Sequence, residues 1–202
     1  MIRYRFLENL VLKIYAKMDR IVFPINPKEI VQYIPNCRYL SYNTFATINS
    51  CSIQTVISIC ESISGCVQYD ANKGRYLIIC NEDPTFYGNT LARQRWTSAH
   101  EIAHILCNHF YLSKLQMISE NNLMKNSIKA FEKEADAFAS ILLAPFPLFK
   151  VFNINSPQDI QYYFGLSKMA SEYRYNSFLK WKTYSFRRAW DNDIVNIYNE
   201  KL

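Results

Sequence analysis

Glycine is scarce in this chain, with 4 in 202 residues. That argues against a glycine-rich phosphate loop or a dinucleotide-binding turn, and neither GxGxxG nor GxxxxGK followed by Ser or Thr occurs. The 6 cysteines (Cys37, Cys51, Cys60, Cys66, Cys80 and Cys107) include no CxxC pair, and they read as small buried hydrophobes. The opening MIRYRFLENLVLKIYAK is broken by Glu8, Asn9 and Lys13, so it lacks the apolar run and cleavage site of a signal peptide. No stretch approaches the ~18 apolar residues that a membrane span needs. The expectation is a cytoplasmic protein with reduced thiols and no membrane partner. A net charge of +6 is mildly basic and is by itself a weak argument for nucleic acid.

Half of the chain is hydrophobic and 15% is aromatic, ample for a core. Residues 3–20 have the pattern of an amphipathic helix. A short helix over about 27–34 opens with a proline at its first position, and 52–63 suits another. Residues 65–70 and 74–81 read as strands around an Asn-Lys-Gly turn. Two longer helices follow, about 91–109 and about 127–143, the second stopped by Pro145 and Pro147. Asn155-Ser156-Pro157 opens a short helix to about Phe164. Gly165 makes a turn, and Ser167 caps a last long helix.

All three histidines lie in WTSAHEIAHILCNH, residues 96–109. On a wheel of about 100° per residue, Ala92, Trp96, Ala99, Ala103, Leu106, Cys107 and Phe110 form an apolar stripe. His100 and His104 share one flank of it, four residues apart, so their rings project side by side. Glu101 lies about a quarter turn further round, within reach of a water between the imidazoles without being a ligand itself. This is the geometry that gives HExxH its chemistry. His109 falls on the opposite side and reads as the polar end of the helix. The plainer reading of the motif is a pair of histidines flanking a core, so a third ligand is required.

That ligand has a candidate in FEKEADAFASILLA, residues 131–144. Ile128, Phe131, Ala135, Phe138, Ala139 and Leu142 form an apolar stripe, and Glu132 and Asp136 sit together on its flank. If the two stripes face one core, Glu132 meets His100 and His104. A His2Glu set leaves a fourth position for water, the arrangement of catalytic zinc. Asp136 is then placed to accept from the other nitrogen of one histidine. Glu134 points elsewhere on the wheel and is the fallback ligand. His2Glu suits zinc best among common metals.

RQRWTSAHEIAH followed by EKEADAFASILLAP resembles the ImmA/IrrE family of zinc metallopeptidases. PINPKEI, RYLIICN and FGLSKMASEYR add to the likeness, which spans roughly residues 20–180. Where the family often has Leu-Gly inside HExxH, this chain has Ile102-Ala103. The resemblance implies a small α+β zincin-like fold, mostly helical, with a short β-sheet and a C-terminal helical pair. It implies a zinc-dependent endopeptidase with Glu101 as general base and His100, His104 and Glu132 as ligands. It also implies a protein substrate, a helix-turn-helix repressor of a phage, mobile element or stress regulon. The expected organisation is a catalytic domain over 1–150 and a helical extension over 151–202 packed on it.

Two other readings compete. Residues 159–181 have the look of a helix-turn-helix, with Lys168, Arg174, Lys180, Lys182, Arg187 and Arg188 making the region basic. An aromatic-rich unit this small reads better as a packed helical corner than as a DNA reader. WKTYSFRRAW (181–190) reads likewise as packing more than as a partner surface. A non-catalytic, zinc-containing regulator is the other alternative, but Glu101 is intact and the motif supplies only three ligands. The strand at 75–81 is left open between a buried core strand and an edge for an extended substrate.

Overall fold

The computed structural model describes residues 2–113, 117–119, 126–184 and 189–202. Arg187 and Arg188 of the basic ending lie outside them. In chain order the elements are α1 (Tyr4–Lys17), α2 (Pro27–Ile30) with a 3-10 turn over Val31–Tyr33, β1 (Cys37–Ser41), α3 (Tyr42–Ile48), α4 (Ile53–Cys60), β2 (Gly65–Asp70), β3 (Arg75–Cys80), α5 (Leu91–Leu106), α6 (His109–Ser113), β4 (Met117–Ser119), α7 (Asn126–Leu143), α8 (Phe146–Val151), α9 (Pro157–Phe164), α10 (Lys168–Tyr184) and α11 (Ala189–Glu200). This is an α+β chain, mostly helical, with a small four-stranded sheet. Among the described residues no helix is long and apolar enough to cross a membrane.

The chain forms two units, one from residues 27–136 with 1–2, the other from 3–26 with 137–202. In the first, local chemistry sets the helix starts. Ser41, Ser52 and Thr90 each turn a side-chain oxygen to the third residue of α3, α4 and α5, which satisfies an amide that the helix leaves without a partner. The β2–β3 hairpin closes where expected. Asp70 Oδ1 accepts from the amides of Asn72 and Lys73, and Gly74 takes the left-handed conformation at φ 58°.

The sheet order is β1-β3-β2-β4, with β1 parallel to β3 and the other pairs antiparallel. β3 is therefore an interior strand, bonded along both sides, and the possibility that it is an edge for a substrate is overturned. Ile78, Ile79 and Cys80 are fully buried because both faces of the sheet are covered. Cys66 and Ile79 pack with Tyr42, Ala46, Val56 and Cys60 of α3 and α4. Gly65, Cys80 and Tyr39 face the other way, toward Thr97 and Ser98 of α5. All six cysteines are free thiols.

In the second unit α9 begins with a capping box between Ser156 and Asp159 and ends on Gly165 at φ 63°. Ile160 and Phe164 are buried, and the Phe164 ring packs against Phe23, Phe149 and Phe152. Arg174, one of the basic residues of the apparent helix-turn-helix, is not on a solvated face. It is buried, with Nε and Nη2 donating to the Ala144 carbonyl and its guanidinium 3.6 Å from the Phe146 ring centre. Burial pushes its pKa down to about 9. The residues of α1 that face inward, Leu7, Val11, Ile14 and Tyr15, recur at helical spacing, and Tyr15 Oη donates to the Leu142 carbonyl.

Candidate metal centre

α5 differs from the one-sided amphipathic helix that the sequence suggests. Every residue from Thr97 to Ile105 is buried. β2 and β3 pack on it, and the start of α7 reaches its histidines. Its first turns are tied down by polar contacts. Arg93 donates through Nε and Nη2 to Ser64 Oγ, and Gln94 donates to the carbonyls of Glu82 and Asn89. Tyr39 Oη donates to Glu82 Oε1 and shares a hydrogen bond with Ser98 Oγ, and Lys28 pairs with Glu82. The helix that carries the histidines is thus held in register with the sheet from several directions.

The structure brings His100, His104 and Glu132 together. His100 Nε2 lies 3.1 Å from His104 Nε2 and 2.9 Å from Glu132 Oε2, and His104 Nε2 lies 3.4 Å from Glu132 Oε1. Asp136, one turn on from Glu132, places Oδ1 3.0 Å from His100 Nδ1. Glu101 is 2% exposed and close enough to His100, Cys66 and Cys80 to act on the pKa of each.

His109 stands where the helical wheel does not put it, and Glu134 is where the wheel points it, away from the flank of Glu132. α5 ends at Leu106, Asn108 takes the left-handed conformation at φ 60°, and α6 begins at His109. The chain folds back at that point. His109 is completely buried, and its Nδ1 lies 2.9 Å from His104 Nδ1. Glu134 is also buried, with Oε2 3.1 Å from His109 Nε2. His109 is therefore not the polar end of a helix, and Glu134 stands beside His109 and Cys107 instead of with His100 and His104. The asparagine at 108 was the one signal available, since asparagine tolerates a left-handed turn.

Electrostatically the two histidines diverge. Burial disfavours a charge on His100, but the carboxylates of Asp136 and Glu132 on either side of its ring more than offset it, and the pKa rises to about 10. His104 moves the other way. Burial, with His100 and His109 beside it, holds it well below 6.5.

The donor set fits a small divalent ion. A tetrahedral ion with bonds of about 2.0–2.1 Å sets its ligand atoms roughly 3.3 Å apart, close to the three separations here. Glu132 Oε1 is buried and makes no hydrogen bond, although it faces this cluster. A buried carboxylate oxygen left so is costly unless a cation completes its surroundings.

Residues 87–176 match the model of the peptidase M78 family, described as the IrrE N-terminal-like domain. The match takes in α5 to α9 and the first half of α10. No curated protein matches the chain. Over residues 87–176 this chain is similar to the IrrE N-terminal-like domain, which supports the likeness to the ImmA/IrrE family of peptidases.

Proposed function

We propose that the chain is a zinc-dependent endopeptidase whose substrate is a helix-turn-helix transcriptional repressor of a phage, mobile element or stress regulon. The observation that carries the reading is the convergence of His100 Nε2, His104 Nε2 and the Glu132 carboxylate to within 3.4 Å in a domain of a peptidase family. These three residues would hold the ion, and the set leaves one tetrahedral position for water or substrate. The choice of repressor rests on the likeness carried by RQRWTSAHEIAH and EKEADAFASILLAP.

Bound there, zinc supplies a Lewis acid that polarises a peptide carbonyl and brings the pKa of water to about 7. Glu101 is the general base. It takes a proton as the water oxygen adds to the carbonyl carbon, and it returns that proton to the amine nitrogen as the C–N bond breaks. Its burial keeps the carboxylate close to its task and limits competition from bulk water. Asp136 accepts from His100 Nδ1, so Nε2 of that ring keeps its lone pair for the ion. The products are a carboxylic acid and an amine, which ionise in water to a carboxylate and an ammonium group.

The test is co-expression with a panel of helix-turn-helix repressors, followed by fragment mapping. The expected result is a fragment that disappears with a chelator and in Glu101→Gln. A fragment that persists in Glu101→Gln would remove the role given to that residue.

A further inference from the structure

We infer that His109 and Glu134 form a buried relay that fixes His104 in the tautomer that offers Nε2 to a metal at this site. The inference rests on the metal site proposed above and deepens it. Proton bookkeeping carries it. For His104 to offer Nε2 to an ion while neutral, its proton must sit on Nδ1. That atom lies 2.9 Å from His109 Nδ1, which must then accept. His109 in turn carries its proton on Nε2, which meets Glu134 Oε2 at 3.1 Å. In this arrangement each ring nitrogen of His104 and His109 has a defined role, and the relay runs to the Glu134 carboxylate. If the direction is reversed, His109 Nδ1 donates, His104 holds its proton on Nε2, and that proton points at His100.

The relay is also built rigidly. His104, His109 and Glu134 are 1%, 0% and 4% exposed. Phe131 stacks on the His109 ring, with centroids 4.5 Å apart and planes at 21°. The left-handed Asn108 brings His109 back to His104, five residues earlier. His100 and His104 thus each have a carboxylate behind them, Asp136 directly and Glu134 through an imidazole.

Cys107 complicates the picture in a useful way. Cys107, His109 and Glu134 offer atoms within 4.8 Å of one another, a second grouping able to hold an ion. An ion there would need the His109 Nε2 lone pair, so His109 would carry its proton on Nδ1 and donate it to His104. His104 would then lose its free Nε2. With neutral imidazoles the relay and a second ion exclude each other.

The experiment is zinc titration of the purified chain against a chromophoric chelator, with cobalt spectra of the same proteins. The variants are His104→Ala, His109→Leu, His109→Asn, Glu134→Leu and Cys107→Ala. The expected result is one zinc per chain, lost in His104→Ala, with affinity about 10–100-fold weaker in His109→Leu and Glu134→Leu. His109→Asn, whose amide oxygen can still accept from His104, recovers part of that loss and restores the cobalt spectrum, and Cys107→Ala binds as the parent does. Should His109→Leu fail to fold, Glu134→Leu and His109→Asn carry the comparison. Zinc bound as tightly in Glu134→Leu and His109→Leu as in the parent overturns the relay and leaves the centre standing. Two zinc ions per chain, one of them lost in Cys107→Ala, overturns the relay as well. A parent chain that binds no zinc overturns the centre and the relay together.

Discussion

Gly65 and Thr97 meet with no room to spare. A Cβ added to Gly65 would lie 2.7 Å from Thr97 Cγ2 and 3.1 Å from Cys80 Sγ. β2 and α5 therefore approach as closely as a missing side chain permits, and His100 sits one turn beyond Thr97. Gly65→Ala is expected to destabilise the fold by about 1–3 kcal/mol, because the helix must move off the sheet. Denaturant unfolding measures this, and a variant as stable as the parent would show that α5 has slack.

Arg174 closes the end of α7. Its guanidinium donates to the carbonyl of Ala144, just past the last helical residue, and to Ser140 Oγ. Arg174→Met keeps most of the volume and removes the donors. A loss of about 2–4 kcal/mol is expected, since a buried carbonyl at a helix end is left unsatisfied. Thermal unfolding reads it directly, and an unchanged transition would contradict that role.

Asp136 is exposed, so its removal should cost little stability, within about 0.5 kcal/mol. Its hydrogen bond to His100 Nδ1 still orients the ring. Asp136→Ala is expected to weaken zinc by about 10–100-fold with unfolding unchanged. Equal zinc affinity in the two proteins would reduce Asp136 to a surface residue.

Glu101→Gln keeps the shape of the side chain and removes the carboxylate proposed as general base. Zinc content should stay at the parent level while the cleavage rate falls by about 10²–10⁴-fold. Loss of the metal in this variant would instead make Glu101 a ligand.

What could be read from the sequence follows the helices. His100 with His104, and Glu132 with Asp136, are four apart within unbroken helical turns, so a wheel places each pair on one flank. The structure brings the two flanks together. His109 escapes the same wheel because α5 stops at Leu106 and Asn108 takes the left-handed conformation before α6. Glu134 lies on a helix face whose partner, His109, only the tertiary fold supplies. Two of the four strands are harder. The β2–β3 hairpin announced itself through Asn-Lys-Gly, but β1 and β4, of 5 and 3 residues, carry too little alternation to stand out. β3 was legible as a strand and ambiguous as to place, because a run of buried residues looks the same whether its neighbours are strands or helices. Arg174 looks in the sequence like the other basic residues, and only tertiary packing shows its guanidinium buried against the Ala144 carbonyl.

The measurement that goes most directly to the metal centre is elemental mass spectrometry of the purified chain beside His104→Ala and Glu132→Ala. The expected result is about one zinc per parent chain and little or none in either variant, because each change removes one of the three ligands proposed for the ion. Zinc absent after reconstitution, or present equally in all three proteins, would contradict a site built from α5 and α7 and would leave the buried histidines as a structural cluster.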